Sequence, residues 1–289
     1  MNTKQKNGNS PYVLYLRTVK RFFREPSLVL GSLIIVFFIL VSLLPSQIVS
    51  IDPNKQNLLN SLAKPSQAHL FGTDELGRDL FSRVVHGTPT ALILAVGSMV
   101  VAYLVALPFG LAAGYYGGKL DRALSYITDS FLTFPSIVLS IVIVSIIGTG
   151  ERGLFITLVV TKAPSLARFI RGSVLQHRKK EYIEGARSLG CSAAYIMVRH
   201  ILPNILGSSI IIISLFASEA LLTTAALGFL GLGVQPPNPE WGTMLSRSRN
   251  YFMVASHLMV FPGLAISTMI LGFNLFGDGL RDFLDSKKQ

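Results

Sequence analysis

Residues 153–172 read GLFITLVVTKAPSLARFIRG, and whether this stretch crosses a bilayer decides the topology of the whole chain. Its length suits a span, since a hydrocarbon core of about 30 Å takes roughly 20 residues of helix. Lys162, Pro164 and Arg168 interrupt it, and a lysine at mid-membrane costs about 2.5 to 3.5 kcal/mol. Loop charge arbitrates. Five further apolar stretches lie at about 28–49, 91–113, 124–147, 205–227 and 254–276. With six spans, one side of the membrane receives Lys4, Lys6, Arg17, Lys20, Arg21, Arg24, Lys119, Arg122, the basic run from Arg178 to Arg199, and Arg281, Lys287 and Lys288. The other side receives Lys55, Lys64, Arg78, Arg83, Arg152, Arg247 and Arg249. The positive-inside rule then places both termini in the cytoplasm, and leaving out 153–172 would strand the basic loop or the basic tail outside. The stretch is therefore read as the fourth of six spans. Lys162 must face a cavity, a partner helix or an acid, or else snorkel to the interface without a function.

Composition supports the same reading. Half of the 289 residues are hydrophobic, 14% are charged and the mean hydropathy is +0.52, which leaves too little polar surface for a soluble single-domain enzyme. The net charge of +11 sits between apolar runs rather than on one amphipathic face, so it reads as an orientation signal and not as a nucleic-acid surface. Lone Cys191 excludes an internal disulfide, and five scattered histidines give no metal-ligand spacing. The first apolar run begins near Leu28 and has no small-residue cleavage site after it, which argues for an anchor rather than a cleavable leader. The expected organisation is a cytoplasmic tail over 1–26, a first span with its extracytoplasmic segment over 27–87, a core over 88–277 and a second cytoplasmic tail over 278–289.

Two outer stretches are long enough to carry structure. In the first, Leu80, Phe81, Val84 and Val85 recur at helical spacing after Asp79, predicting a short interfacial helix. In the second, Gln235-Pro236-Pro237-Asn238-Pro239 predicts a rigid non-helical loop, with Glu240 and Trp241 beside it and Trp241 at the membrane interface. The longest cytoplasmic loop, 173–203, reads Glu181-Tyr182-Ile183-Glu184-Gly185-Ala186-Arg187-Ser188-Leu189-Gly190 at its centre. Tyr182, Ile183, Ala186 and Leu189 share one side of a helix, with the charged residues mostly opposite. Gly190 suits the left-handed residue that ends such a helix, Ser192 can cap a second short helix, and Pro203 starts the next span.

Glu184-Gly185-Ala186, with Gly190 and then Ile201-Leu202-Pro203, resembles the cytoplasmic EAA loop of ABC importer permeases. Gly185 stands for the usual first alanine, and His200 for an aliphatic residue. Three more blocks resemble the peptide and nickel branch of that family: Gly72-Thr73-Asp74 with Gly77-Arg78-Asp79 and Ser82-Arg83, Gly228 to Pro237 with Pro239-Glu240-Trp241-Gly242, and Phe273 to Asp282. The chain is most similar to the C-type subunit of dipeptide and oligopeptide permeases. The resemblance implies an all-helical, polytopic fold whose last five spans form a type I importer core, the first span being peripheral. It implies a pathway for peptides shared with a homologous second permease subunit, a solute-binding protein outside, and two ATPase subunits inside that bind ATP and Mg. It places the chain in a bacterial or archaeal cell membrane and makes Glu184, Gly185, Ala186, Arg187, Gly190 and Pro203 the ATPase-coupling residues. Glu240 and Trp241 become candidates for docking the binding protein. Nickel or a metal chelate is the alternative cargo.

Three charged residues inside spans are candidates for the pathway: Lys162, Asp129 and Glu219. Glu219 follows fourteen residues without an acid or base, Ile205 to Ser218, so only a pore, a polar partner or protonation makes it tolerable. Asp129 can instead pair with Arg122 or Lys119. Gly97, Ala106, Gly110, Ala113 and Gly114 give the second span a small-residue packing seam. No nucleophile with a base and no phosphate-cradling glycine loop occurs in the sequence, so no cofactor and no catalysis are expected of this chain. An ion-driven secondary transporter using Glu219 is a rival reading, weakened by the absence of an evident repeat between the halves; a membrane scaffold that does not transport is a second.

Overall fold

The structure, a computed structural model, describes residues 21–285. Most of the expected N-terminal tail, with Lys4, Lys6, Arg17 and Lys20, lies outside the described residues, as do Lys287 and Lys288. The helices of eight residues or more are α1 (Pro26–Leu43), α2 (Leu80–Tyr116), α3 (Gly118–Leu132), α4 (Ser136–Ile147), α5 (Glu151–Arg178), α6 (Glu181–Ser188), α7 (Ala193–Phe229), α8 (Trp241–Ser248) and α9 (His257–Asp285). Helices α1, α2, α5, α7 and α9 are long and apolar enough to cross a membrane, and α3 with α4 makes a sixth candidate, bent by 89°.

The stretch interrupted by Lys162, Pro164 and Arg168 forms the unbroken 28-residue α5, about 42 Å long. The break falls instead in the third span, expected to be continuous over 124–147. Pro135 bars the helical region to Phe134, so α3 stops at Leu132 and α4 starts at Ser136. Packing explains why one proline breaks its helix and the other does not. Around Pro164, Leu166, Ala167 and Ile170 are locked against α2, whereas α3 has no buried residue to hold it straight through the defect.

The packing seam expected on the second span is present, and the structure gives it the fourth span as partner. A Cβ on Gly110 would lie 2.6 Å from Cβ of Ile170, and one on Gly114 2.6 Å from Cβ of Val174, so only hydrogen allows α2 and α5 to approach this closely. Helix α1 is peripheral in exposure, yet it presses Leu28 and Gly31 onto α9 so closely that a Cβ on Gly279 would meet the Leu28 backbone at 2.3 Å.

Two expected boundaries vanish into longer rods. The short helix foreseen after Asp79 is the first turn of α2, with Asp79 Oδ1 accepting from Ser82 N at 2.7 Å, and it continues through a π-turn at Ile93–Gly97 to Tyr116. The division between 87 and 88 therefore lies inside one helix. Likewise Pro203 does not open a new helix: α7 runs from Ala193 through a π-turn at Ile196–Ile201. That widened turn ends two residues before Pro203, which has no N–H to give.

Candidate functional site

The segment from α6 into α7 is built around one tight turn. Glu181 and Glu184 occupy the first turn of α6 and Arg187 the last, which suits the helix dipole. Ile183 and Ala186 are buried in a cluster with Leu166, Ile170 and Val174 of α5 and Ile196 and Ile201 of α7. The Arg187 guanidinium lies 5.1 Å from the Tyr115 ring centroid on α2, and Tyr182 Oη lies 3.1 Å from His177 Nδ1. Gly190 adopts φ +79°. Its N–H donates to Arg187 O at 2.9 Å, and Cys191 N–H donates to Ala186 O at 3.1 Å, the paired bonds of a Schellman stop. Ser192 Oγ then accepts from Tyr195 N at 3.3 Å and starts α7.

The expected turn geometry is thus present, with two differences. Pro203 lies within the continuous α7 rather than at its start. The four apolar residues assigned to one side divide, because Ile183 and Ala186 point into the bundle while Tyr182 and Leu189 point out. Leu189 is 85% exposed; it sits at the helix C-cap, past the last residue to which a 3.6-residue period applies. Glu181, Glu184, Gly185 and Arg187 share the exposed surface with it, as do Tyr195 and Val198 of α7. A stable scaffold therefore presents a mixed apolar and charged face.

Lys162 and Glu219 meet where α5 and α7 pack together. Lys162 Nζ lies 2.5 Å from Glu219 Oε2 and 5.2 Å from the Phe216 ring centroid, joining α5 to α7. Their exposures differ: the Lys162 side chain is 9% exposed and that of Glu219 55%. Lysine supplies a covered counter-charge, and glutamate keeps an open oxygen. Of the alternatives for Lys162, the acid is the one found. Asp129 has a different partner from those expected, Arg168 Nη2 at 3.2 Å, because α3 lies along α5. The cleft it lines contains neither Lys162 nor Glu219.

Glu240 and Trp241 are corrected more strongly. Both are buried, so neither offers surface to a docking protein or to lipid. Glu240 caps α8 through bonds from Gly242 N, Thr243 N and Thr243 Oγ1, each 2.7 Å. Burial pushes its carboxyl up from the ordinary range, and these donors oppose the shift. Trp241 packs on Phe38 and donates Nε1–H to Val84 O at 3.0 Å, tying α1 and α2 to the outer loop. Trp241→Ala is expected to destabilise the protein by about 3 to 5 kcal/mol. Trp241→Phe, which loses the hydrogen bond and little volume, should cost about 0.5 to 1.5 kcal/mol. Thermal unfolding of the detergent-purified protein checks both, and an unshifted transition for the alanine variant would remove the packing role.

The residues of the outer motif block also serve structure. Arg78 Nε binds Asp74 Oδ2 at 2.6 Å, and Arg247 Nη1 reaches Glu75 at 2.8 Å from α8, which clamps the outer segment to the far end of the chain.

Residues 106–289 match the family described as binding-protein-dependent transport system inner membrane component, and residues 14–65 match the N-terminal TM domain of oligopeptide transport permease C. The chain belongs to the binding-protein-dependent inner membrane permeases. It is 39% identical over 269 residues to the glutathione transport system permease protein GsiD of Pectobacterium atrosepticum, covering 93% of this chain and 89% of that one. It is 40% identical over 268 residues to the dipeptide transport system permease protein DppC of Alkalihalophilus pseudofirmus, covering 93% and 88%. The fold is similar to that of an inward-facing MetNI methionine ABC transporter chain, with a TM-score of 0.59 and 20% identity, over 71% of this permease and 97% of that chain. The fold is accordingly the all-helical, MetI-like importer core, with α1 and the outer segment added ahead of it.

Proposed function

We propose that this permease forms half of the translocation pathway of an ABC importer for peptides, beside a homologous second permease, and that the turn over residues 181–192 transmits the motion of cytoplasmic ATPase subunits. The single observation that carries the reading is that turn: it is anchored by Ile183 and Ala186 and ended by a Schellman glycine, with Glu184, Arg187 and Leu189 displayed outward. Family membership implies permease and ATPase partners, and ATP with Mg belongs to the latter. The relatives named above are permeases for a dipeptide and for glutathione, both amide-linked amino acids. They favour peptide over nickel as cargo.

The charge asymmetry supports cytoplasmic termini in an inner membrane. Lys162 and Glu219 are assigned to the pathway wall, Glu219 providing the open oxygen. With Glu240 and Trp241 buried, the exposed edge of the outer loop from Gln235 to Asn238 takes over as the docking surface for a solute-binding protein.

Cys191, half-buried beside Gly190, tests the orientation and the docking together. A membrane-impermeant maleimide should label it from the cytoplasmic face, and assembly with the ATPases should slow labelling at least tenfold. Labelling from outside intact cells, or an unchanged rate in the complex, would overturn the assignment. Proteoliposomes that accumulate nickel and not a labelled dipeptide, with binding protein and ATP supplied, would overturn the cargo.

A further inference from the structure

Two neighbouring cavities lie among α2, α3 and α5. One, of about 170 Å³, has a mixed wall that brings Ser125, Asp129, Arg168 and Arg171 beside apolar residues. The other, of about 310 Å³, is apolar, with Ile127, Phe131, Val159 and Ala163 in its wall. Phe109, Leu124, Thr128 and Ala167 line both, so the two cavities adjoin and together present a mixed end and an apolar end. From Ala163 to Arg171, α5 advances about 12 Å toward the α6 turn. The mixed end therefore lies nearer the membrane surface, and the apolar end nearer mid-membrane.

Charge selects the occupant. Asp121 closes off Arg171 with two bonds of 2.5 and 2.8 Å. Arg168 and Asp129 share one contact of 3.2 Å, and their side chains stay 61% and 51% exposed. Guanidinium N–H groups and a carboxylate oxygen are thus available side by side. A headgroup carrying both a phosphate and a primary ammonium satisfies the two together, whereas a purely anionic one would set its phosphate against Asp129.

We propose that this cleft binds one phosphatidylethanolamine molecule of the leaflet facing the ATPase side, with phosphate on Arg168, ammonium on Asp129 and an acyl chain between α3 and α5. The lipid fills the space beside an amphipathic helix that has no buried residue of its own, next to the 89° bend. The inference needs the membrane placement but not the cargo, so its failure would leave the importer reading intact.

The test is native mass spectrometry of the complete transporter complex, purified from membranes containing phosphatidylethanolamine and phosphatidylglycerol. Arg168→Gln with Asp129→Asn should lower retained phosphatidylethanolamine at least tenfold, and Ala163→Trp, which fills the apolar half, should do the same. The Asp121–Arg171 strap is untouched in both. A photo-crosslinking residue at position 131 should capture lipid. Unchanged retention in either variant, preferential retention of phosphatidylglycerol, or capture of the second permease instead of lipid would each overturn the site.

Discussion

Gly190→Val should reduce ATP-driven uptake at least tenfold while the permease still inserts and assembles with its partner. At Gly190 the backbone has φ +79°, and a Cβ there would meet no atom within 4 Å. Space is therefore irrelevant, and the obstacle is conformational. A β-branched residue in this region carries about 1 to 3 kcal/mol of strain, which re-forming the turn with another geometry would relieve. The Schellman bonds to Ala186 and Arg187 would then be lost and the exposed face re-aimed. Gly190→Asn separates this cause from any effect of added volume, since asparagine tolerates the left-handed region; it should retain most of the uptake. Glu184→Lys should act differently, weakening ATPase attachment and leaving the turn intact. The measurement is uptake and ATPase activity in the same reconstituted complexes. Equal loss in the valine and asparagine variants would place the defect in side-chain bulk and remove the turn from the mechanism.

The second large effect is expected at the intramembrane ion pair. Glu219→Gln leaves Lys162 covered without its counter-charge; breaking a fully buried pair costs about 3 to 5 kcal/mol, and the half-exposed Glu219 side sets the expected loss below that range. Lys162→Met should cost less, because the half-exposed Glu219 can find water or a proton. The double variant Lys162→Met with Glu219→Gln should recover most of the lost stability, since no isolated buried charge remains. Unfolding of the purified complex measures the stabilities, and uptake measured alongside tests the pathway assignment. A stable double variant with full uptake would leave the pair a purely structural strut. Additive losses would show that the two residues do not interact.

The parts of this protein legible in its sequence are those set by neighbours along the chain or by the solvent. Apolar length located four helices long enough to span, and basic loops argued for residues 153–172 as another, which α5 contains, whereas the stretch 124–147 is divided into α3 and α4. Gly190 and Ser192 were legible because caps and left-handed turns are local devices. The seam of Gly110 and Gly114 was legible because close helix approach requires the absence of a side chain. Other features depended on which surfaces meet. Pro135 and Pro164 impose the same local restriction, yet the one in a packed helix is absorbed and the other bends its span. Glu240 and Trp241 look like loop surface in sequence, and are buried because α1, α2 and the outer loop converge on them. The pairings of Lys162 with Glu219 and of Asp129 with Arg168 join residues far apart in the chain, and no periodicity encodes a partner on another helix. Sequence determined what each segment had to bury or cap, while tertiary packing chose the partner, because that choice depends on the relative placement of whole helices.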